Sequence, residues 1–167
     1  AGYARVCQWH ARYASGILCL EHEEQIIGAL GLWPLTQIAY EALVTGKLRE
    51  EDIEAHYLSI PGTDQTLAWW YVADIILLPQ YRGTRTAGIL LHQALSLWFR
   101  DAPLADLVHL AALAYSIQGK SLLQKLGFQR QGISPDDYAI YTYSTHKKDM
   151  QRRYMKILAA YQRNQRK

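Results

Sequence analysis

The segment Gln80-Tyr81-Arg82-Gly83-Thr84-Arg85-Thr86-Ala87-Gly88 joins an apolar run ending at Leu78-Pro79 to a helical apolar stripe starting near Ile89. A strand-to-helix junction exposes backbone N–H groups that find no partner inside the helix, and the helix dipole turns its positive end toward them. Phosphate or pyrophosphate is the natural ligand for such a place. Gly83, Ala87 and Gly88 let the backbone approach closely, and Arg82 and Arg85 add fixed positive charge. The plain alternative is an ordinary turn carrying two solvent-facing arginines. Just upstream, Asp74 interrupts the most apolar stretch of the chain, Val72 to Leu78. A carboxylate placed there is either paired or put to use.

A second junction, Ala114-Tyr115-Ser116-Ile117-Gln118-Gly119-Lys120-Ser121, matches a relaxed nucleotide-binding P-loop. Its first position is Ala where the stricter pattern has Gly, and its interior is bulky. Too little chain follows to complete a nucleotide-hydrolase sheet with an Asp for magnesium, so this reading is set aside. Histidines and cysteines show no metal-ligand spacing, and no metal is expected.

The two junctions must be positioned by regular elements. Ala4 to Ala14 reads as the end of a helix. Ile17–His22 and Gln25–Leu32 form an apolar hairpin about Glu23-Glu24, with Pro34 ending its second strand. Thr36 caps a short helix to Val44, closed by Gly46. Leu48–His56 is charged and expected to be helical, and Pro61-Gly62 with Asp64 marks a turn. Leu67–Leu78 is the clearest strand, stopped by Pro79.

After the loop, Ile89, Leu90, Ala94, Leu97 and Trp98 recur at helical spacing. Leu107–Leu113 is a buried strand, Gly119–Lys125 a short helix stopped by Gly127, and Phe128–Gln131 and Tyr138–Ser144 are strands. The chain then ends in an amphipathic helix with Tyr154, Ile157, Leu158 and Tyr161 on one face. The fold class is α/β (α+β), a mixed, mostly antiparallel sheet flanked by helices.

With this order in place, Ile75-Ile76-Leu77-Leu78-Pro79-Gln80-Tyr81-Arg82-Gly83, followed by Leu90-Leu91, resembles the acyl-CoA-binding segment of the GNAT superfamily of N-acetyltransferases. Val108-His109-Leu110-Ala111-Ala112, then Leu122-Leu123-Gln124-Lys125-Leu126-Gly127-Phe128, is similar to that family's later strand–helix–Gly-Phe segment. The resemblance covers roughly Gln25 to Ser144. It implies that the strand around Leu77 and Leu78 splays from its neighbour and offers backbone groups to a pantetheine arm. It further implies that the amides of Arg82, Gly83, Thr84, Arg85, Thr86 and Ala87 hold the pyrophosphate, with Gln80 supporting the loop. The donor is then acetyl-CoA, and the acceptor an amine on a small molecule, peptide or protein.

Three positions depart from the family pattern. Arg85 fills the last place of Gln/Arg-x-x-Gly-x-Gly/Ala, Ser116 stands where many members have Asn, and Leu123 replaces a tyrosine that protonates the departing thiolate. The rival reading keeps the fold without the reaction, as a domain that binds CoA or a protein partner.

Transfer to an amine needs that amine neutral. At pH 7 this costs on the order of 4–5 kcal/mol for a lysine-like group. Asp74 is the first choice of base. Glu41, Asp52 and His56 are alternatives that would line the acceptor side. Ser116, Tyr115, Tyr138 or water could replace the missing acid. Trp33, Tyr40, Tyr57, Trp69 and Trp70 flank the region, with core packing their expected role. His92 is expected to be a satisfied, partly buried residue.

The 167 residues suffice for one domain with a core of its own. Residues 1–145 read as that domain, with an N-terminus that looks incomplete, and 146–167 as a basic C-terminal helix. A net charge of +3 conceals that asymmetry. Lys147, Lys148, Arg152, Arg153, Lys156, Arg163, Arg166 and Lys167 face one acid, Asp149. A solvated helix is the expected meaning, a homodimer contact is compatible with it, and nucleic-acid binding is the weaker option. No run reaches the roughly 20 apolar residues of a membrane span. Cys7 and Cys19 alone suggest a reducing, cytoplasmic setting.

Overall fold

The computed structural model describes residues 2–60, 66–82, 86–153 and 155, with Ala87 described by its backbone alone. The turn expected at Pro61-Gly62 and Asp64, the loop residues Gly83, Thr84 and Arg85, and the terminal apolar face of Tyr154, Ile157, Leu158 and Tyr161 lie outside the described residues. So does the Ala87 side chain.

Six strands form a sheet in the order β1-β2-β3-β4-β6-β5, and only β3 and β4 run parallel. The mostly antiparallel sheet read from the sequence is therefore present. The hairpin joins β1 (Ile17–His22) to β2 (Gln25–Pro34) through Glu23 and Glu24, both with positive φ, 49° and 61°. β3 spans Leu67–Leu77, β4 Leu104–Ala114, β5 Gln129–Ile133 and β6 Ala139–His146. α1 (Tyr3–Arg12) precedes the sheet and α2 (Gln37–Val44) follows β2. α3 (Thr86–Asp101) makes the crossover that a parallel β3–β4 pair requires, and α4 (Ile117–Lys125) follows β4. Residues 147–153 are helical. Among the described residues no helix is long and apolar enough to cross a membrane.

Pro34 ends β2 as expected, but from within the strand, as its last residue and paired with Trp70. The rung beside it is made by the Leu35 N–H to the Trp69 carbonyl (2.8 Å), so the amide hydrogen that proline lacks is not missed. One expectation needs correction. Leu48–His56 is not a helix but two single 3₁₀ turns, Glu50–Asp52 and Ala55–Tyr57. Ile53, fully buried between them, and Leu58 anchor this segment from isolated positions rather than along a helical stripe.

Alternation along β3 feeds both faces of the sheet. Tyr71 and Ala73 pack with Trp9, Trp33, Tyr40, Leu43 and Ile53 beneath α1 and α2. Trp70 and Val72 face the opposite layer, with Trp98 of α3 and Leu123 of α4. Trp33, Tyr40 and Trp70 are buried and Trp69 and Tyr57 half-buried against the first cluster, which is the packing role expected of these aromatics.

The local signals around α2 hold. The Thr36 hydroxyl accepts from the Ala39 N–H (3.3 Å), and Gly46 closes the helix at φ +69°. A Cβ at Gly46 would meet the Ile133 carbonyl oxygen at 2.8 Å. Gly46→Ala should therefore cost about 1–3 kcal/mol, from the left-handed backbone together with a contact that backbone cannot relieve. Urea unfolding of the two proteins measures it, with the shift carried by the midpoint and not the slope.

Candidate active site

The site begins with a mismatch of register. Between the pairs Leu30↔Ile75 and Leu32↔Val72, β2 advances by one intervening residue and β3 by two. Ala73 and Asp74 thus lie together opposite Gly31, a bulge that re-aims the carboxylate. A Cβ on Gly31 would come within 3.4 Å of the Ala73 Cβ and 3.0 Å of Trp33 Nε1, so this rung has little space for a side chain.

At nearly the same level the sheet divides. The last β3–β4 pair is Val72↔Ala112. Beyond it β3 stays with β2 as far as Gly28↔Leu77, while β4 stays with β6 as far as Ala114↔Ala139. Each strand follows its outer neighbour, and a cleft of about 780 Å³ opens between them. Asp74, Leu77 and Arg82 line one side; Tyr115, Ser116 and Leu123 line the other. Backbone groups of residues 73–77 that face β4 have left the β3–β4 ladder, and such groups need partners. An extended, amide-bearing arm would supply them in the manner of an added strand. The splay near Leu77 that the sequence reading expected is present.

Past Leu77 the Leu78 N–H bonds the Ile27 carbonyl (2.9 Å), and Pro79–Tyr81 forms a 3₁₀ turn. The Arg82 Nε donates to the Leu77 carbonyl (2.9 Å), tying the loop to the strand end. Gln80 is exposed. α3 then starts at Thr86, a few residues after the cleft-lining Arg82.

Behind Tyr115, a wall residue of the cleft, lies a feature the sequence reading missed. Glu50, only 7 % exposed, comes from the first 3₁₀ turn of the insert. The Tyr115 hydroxyl donates to its Oε2 in a short hydrogen bond. The Tyr71 hydroxyl is buried beside both, and burial together with the Glu50 charge raises its pKa well above the ordinary tyrosine value. Burial, and then the bond to Glu50, also raises Tyr115 far beyond that value. Asp74 is raised above the usual aspartate range, first by burial and then by the charge of Glu50. The Tyr115 ring packs on Tyr138 with centroids 4.3 Å apart.

The contacts separate the roles. Tyr115 commits its hydroxyl hydrogen to Glu50. Tyr115 is thus suited to hold Glu50 in place, whereas Asp74, with a pKa raised from below, is suited to accept and return a proton. Ser116 lines the cleft, but its Oγ caps α4 by accepting from the Gly119 N–H (3.0 Å), which leaves one hydroxyl hydrogen for other work. The same cap occupies the Gly119 N–H of the relaxed P-loop pattern. Gly119 and Lys120 already belong to the first turn of α4.

The alternative bases are not brought to the cleft. Glu41 is exposed and accepts from Gln37 (2.8 Å), His56 pairs with Glu54 on the surface (3.2 Å), and Asp52 is exposed. Glu50, Glu51, Asp52 and Glu54 look alike in sequence, and only a partner 65 residues away singles out Glu50. His92 lies in the wall of a second, apolar cavity and takes no part in the cleft. Among the described residues no group of His, Cys, Asp and Glu is arranged to hold a metal.

No family model and no curated protein matches the sequence. Solved structures do. The loading GNATL domain of CurA from Lyngbya majuscula superposes with a TM-score of 0.57 at 12% identity, over 86% of this chain and 83% of that one. The GNAT-like decarboxylase GphF in complex with isobutyryl-CoA gives 0.59 at 15%, over 86% and 85%. A chain of the NatC complex bound to Gag peptide and CoA gives 0.53 at 12%, over 87% and 80%. At such identities the likeness establishes the fold, and this chain has the GNAT fold.

Proposed function

We propose that this GNAT-fold chain binds an acyl-CoA, acetyl-CoA being the simplest, and passes the acyl group to an amine by direct attack within a ternary complex. One observation carries the reading: the bulge bearing Asp74 lies where β3 parts from β4. It gives one place both for an amide-bearing arm and for a base. Two of the superposed structures hold CoA or an acyl-CoA.

In this mechanism the arm lies along residues 73–77, and the diphosphate meets the N–H groups of residues 82–87 at the start of α3. Gln80 and Arg82 steady that loop, Arg82 through the Leu77 carbonyl. The acceptor is an amine on a small molecule or a peptide, and it enters from the side of Glu50 and Tyr115. Asp74 takes the ammonium proton, the amine nitrogen attacks the thioester carbonyl, and a β3 N–H steadies the oxyanion. The C–N bond forms, the attacking nitrogen sheds its second proton to solvent, the C–S bond breaks, and the thiolate takes up the proton held on Asp74, directly or relayed by water and the Ser116 hydroxyl.

Titration calorimetry with CoA and acetyl-CoA tests the binding half, and thiol release with a panel of amines tests the transfer half. Micromolar binding with steady thiol release is expected. Binding without release in any amine would leave a non-catalytic CoA-binding domain, and no binding of any CoA species would refute the assignment.

A further inference from the structure

A second cavity, of about 220 Å³, lies between α3, α4 and the sheet, on the face opposite α1 and α2. Leu91, Ala94 and Leu95 of α3 form one wall, and Leu123 of α4 with Leu126 just past its end another. Its lining is almost entirely carbon, with His92, Tyr143 and Arg153 the polar side chains among it. The cavity adjoins the cleft. Val72, Ile75 and Leu123 line both, so only these side chains stand between the two where the β3–β4 ladder ends at Val72↔Ala112. That is the level of Asp74, and hence of the thioester in the mechanism above.

We infer that this cavity receives the acyl chain of the donor, so that the preferred donor carries an apolar chain of about six to nine carbons and not acetyl alone. The inference rests on the acyl-CoA reading and adds the acyl class to it. A dry apolar cavity of roughly 150 Å³ takes benzene, which has six carbons, and 220 Å³ takes proportionally more. Leu123 is the second observation. It is 5% exposed and lines both spaces. A polar side chain there would need a partner between them, whereas leucine leaves that boundary apolar and able to yield to a hydrocarbon chain.

Calorimetry on the whole chain with free CoA and with acetyl-, butyryl-, hexanoyl-, octanoyl- and dodecanoyl-CoA tests the inference. Kd should fall about fourfold for each methylene buried, until the cavity is full between six and nine carbons, and then stop improving. Ala94→Phe places a ring in the cavity. It should return octanoyl-CoA to the affinity of acetyl-CoA and leave free CoA unchanged. A series flat within twofold while free CoA binds overturns the inference and spares the acyl-CoA reading. So does a chain-length gain that survives in folded Ala94→Phe. If that variant does not fold, the wild-type series decides alone. If no CoA species binds, free CoA included, the acyl-CoA reading fails and this inference fails with it.

Discussion

Asp74→Asn should lower kcat/KM for acyl transfer by about 10²–10⁴-fold, leave acyl-CoA affinity unchanged, and raise thermal stability. The rate loss follows from removing the only carboxylate of β3 at the point where the amine must shed a proton. The wild-type rate should climb with pH as Asp74 ionises, with an apparent pKa above the aspartate range because burial and the Glu50 charge both oppose ionisation. The variant should lose that limb. In Glu50→Gln the limb should persist but move to lower pH, since one of its two causes is gone.

The stability change has the opposite sign from that of a structural carboxylate. A folded-state pKa above the unfolded value, near 3.9, means the folded chain holds more protons between the two. Stability therefore falls as pH rises through that window and stays lower above it. Asparagine escapes the loss, so Tm at pH 7–8 should rise, by roughly 2–4 °C for each kcal/mol recovered in a chain of this size. The gain should vanish below the unfolded value. A falling Tm at neutral pH would instead mark Asp74 as an ordinary hydrogen-bonding residue of the bulge.

Trp9→Ala should cost about 3–5 kcal/mol, a large part of the 5–15 kcal/mol that holds a typical domain. Trp9 is 0% exposed and meets Trp33 edge-on at 5.4 Å and Tyr71 at 6.5 Å. Its Nε1–H donates to the Ile53 carbonyl (2.7 Å), just past the turn that carries Glu50. Trp9→Phe keeps most of the packing but leaves that carbonyl without its donor, a loss of about 1–3 kcal/mol. Both should also loosen Glu50 from Tyr115, so activity should fall even at temperatures where the protein remains folded. Denaturant midpoints together with thiol-release rates at 15 °C separate the two effects. Unchanged rates in folded Trp9→Phe would show that α1 has no part in holding the insert.

What could be read in the sequence follows from the range of the interactions involved. Thr36 and Gly46 act within one turn of chain, and each performs the capping role its type announces. The Leu67–Leu77 strand and the α3 stripe are local periodicities and needed no partner to be seen. Asp74 stood out because a charge among branched residues violates the local pattern. Glu50 did not, for its burial depends on Tyr115 and its placement on Trp9, both remote in sequence. The two 3₁₀ turns were hidden for a similar reason, since charged composition reads as an exposed helix until Ile53 is known to be fully buried. The bulge itself is a relation between two strands, and neither strand announces it alone.

The parting of β3 from β4 has a consequence for how the molecule stays folded. The sheet consists of two three-stranded panels joined by a short parallel seam and by one covalent crossover, α3. A donor lying in the seam bridges both panels and repairs their shared edge. Its binding free energy then adds to folding by mass action, about 2.7 kcal/mol when the donor stands a hundredfold above its dissociation constant. On the proposed function, the abundance of acyl-CoA around the protein would set its durability as well as its turnover.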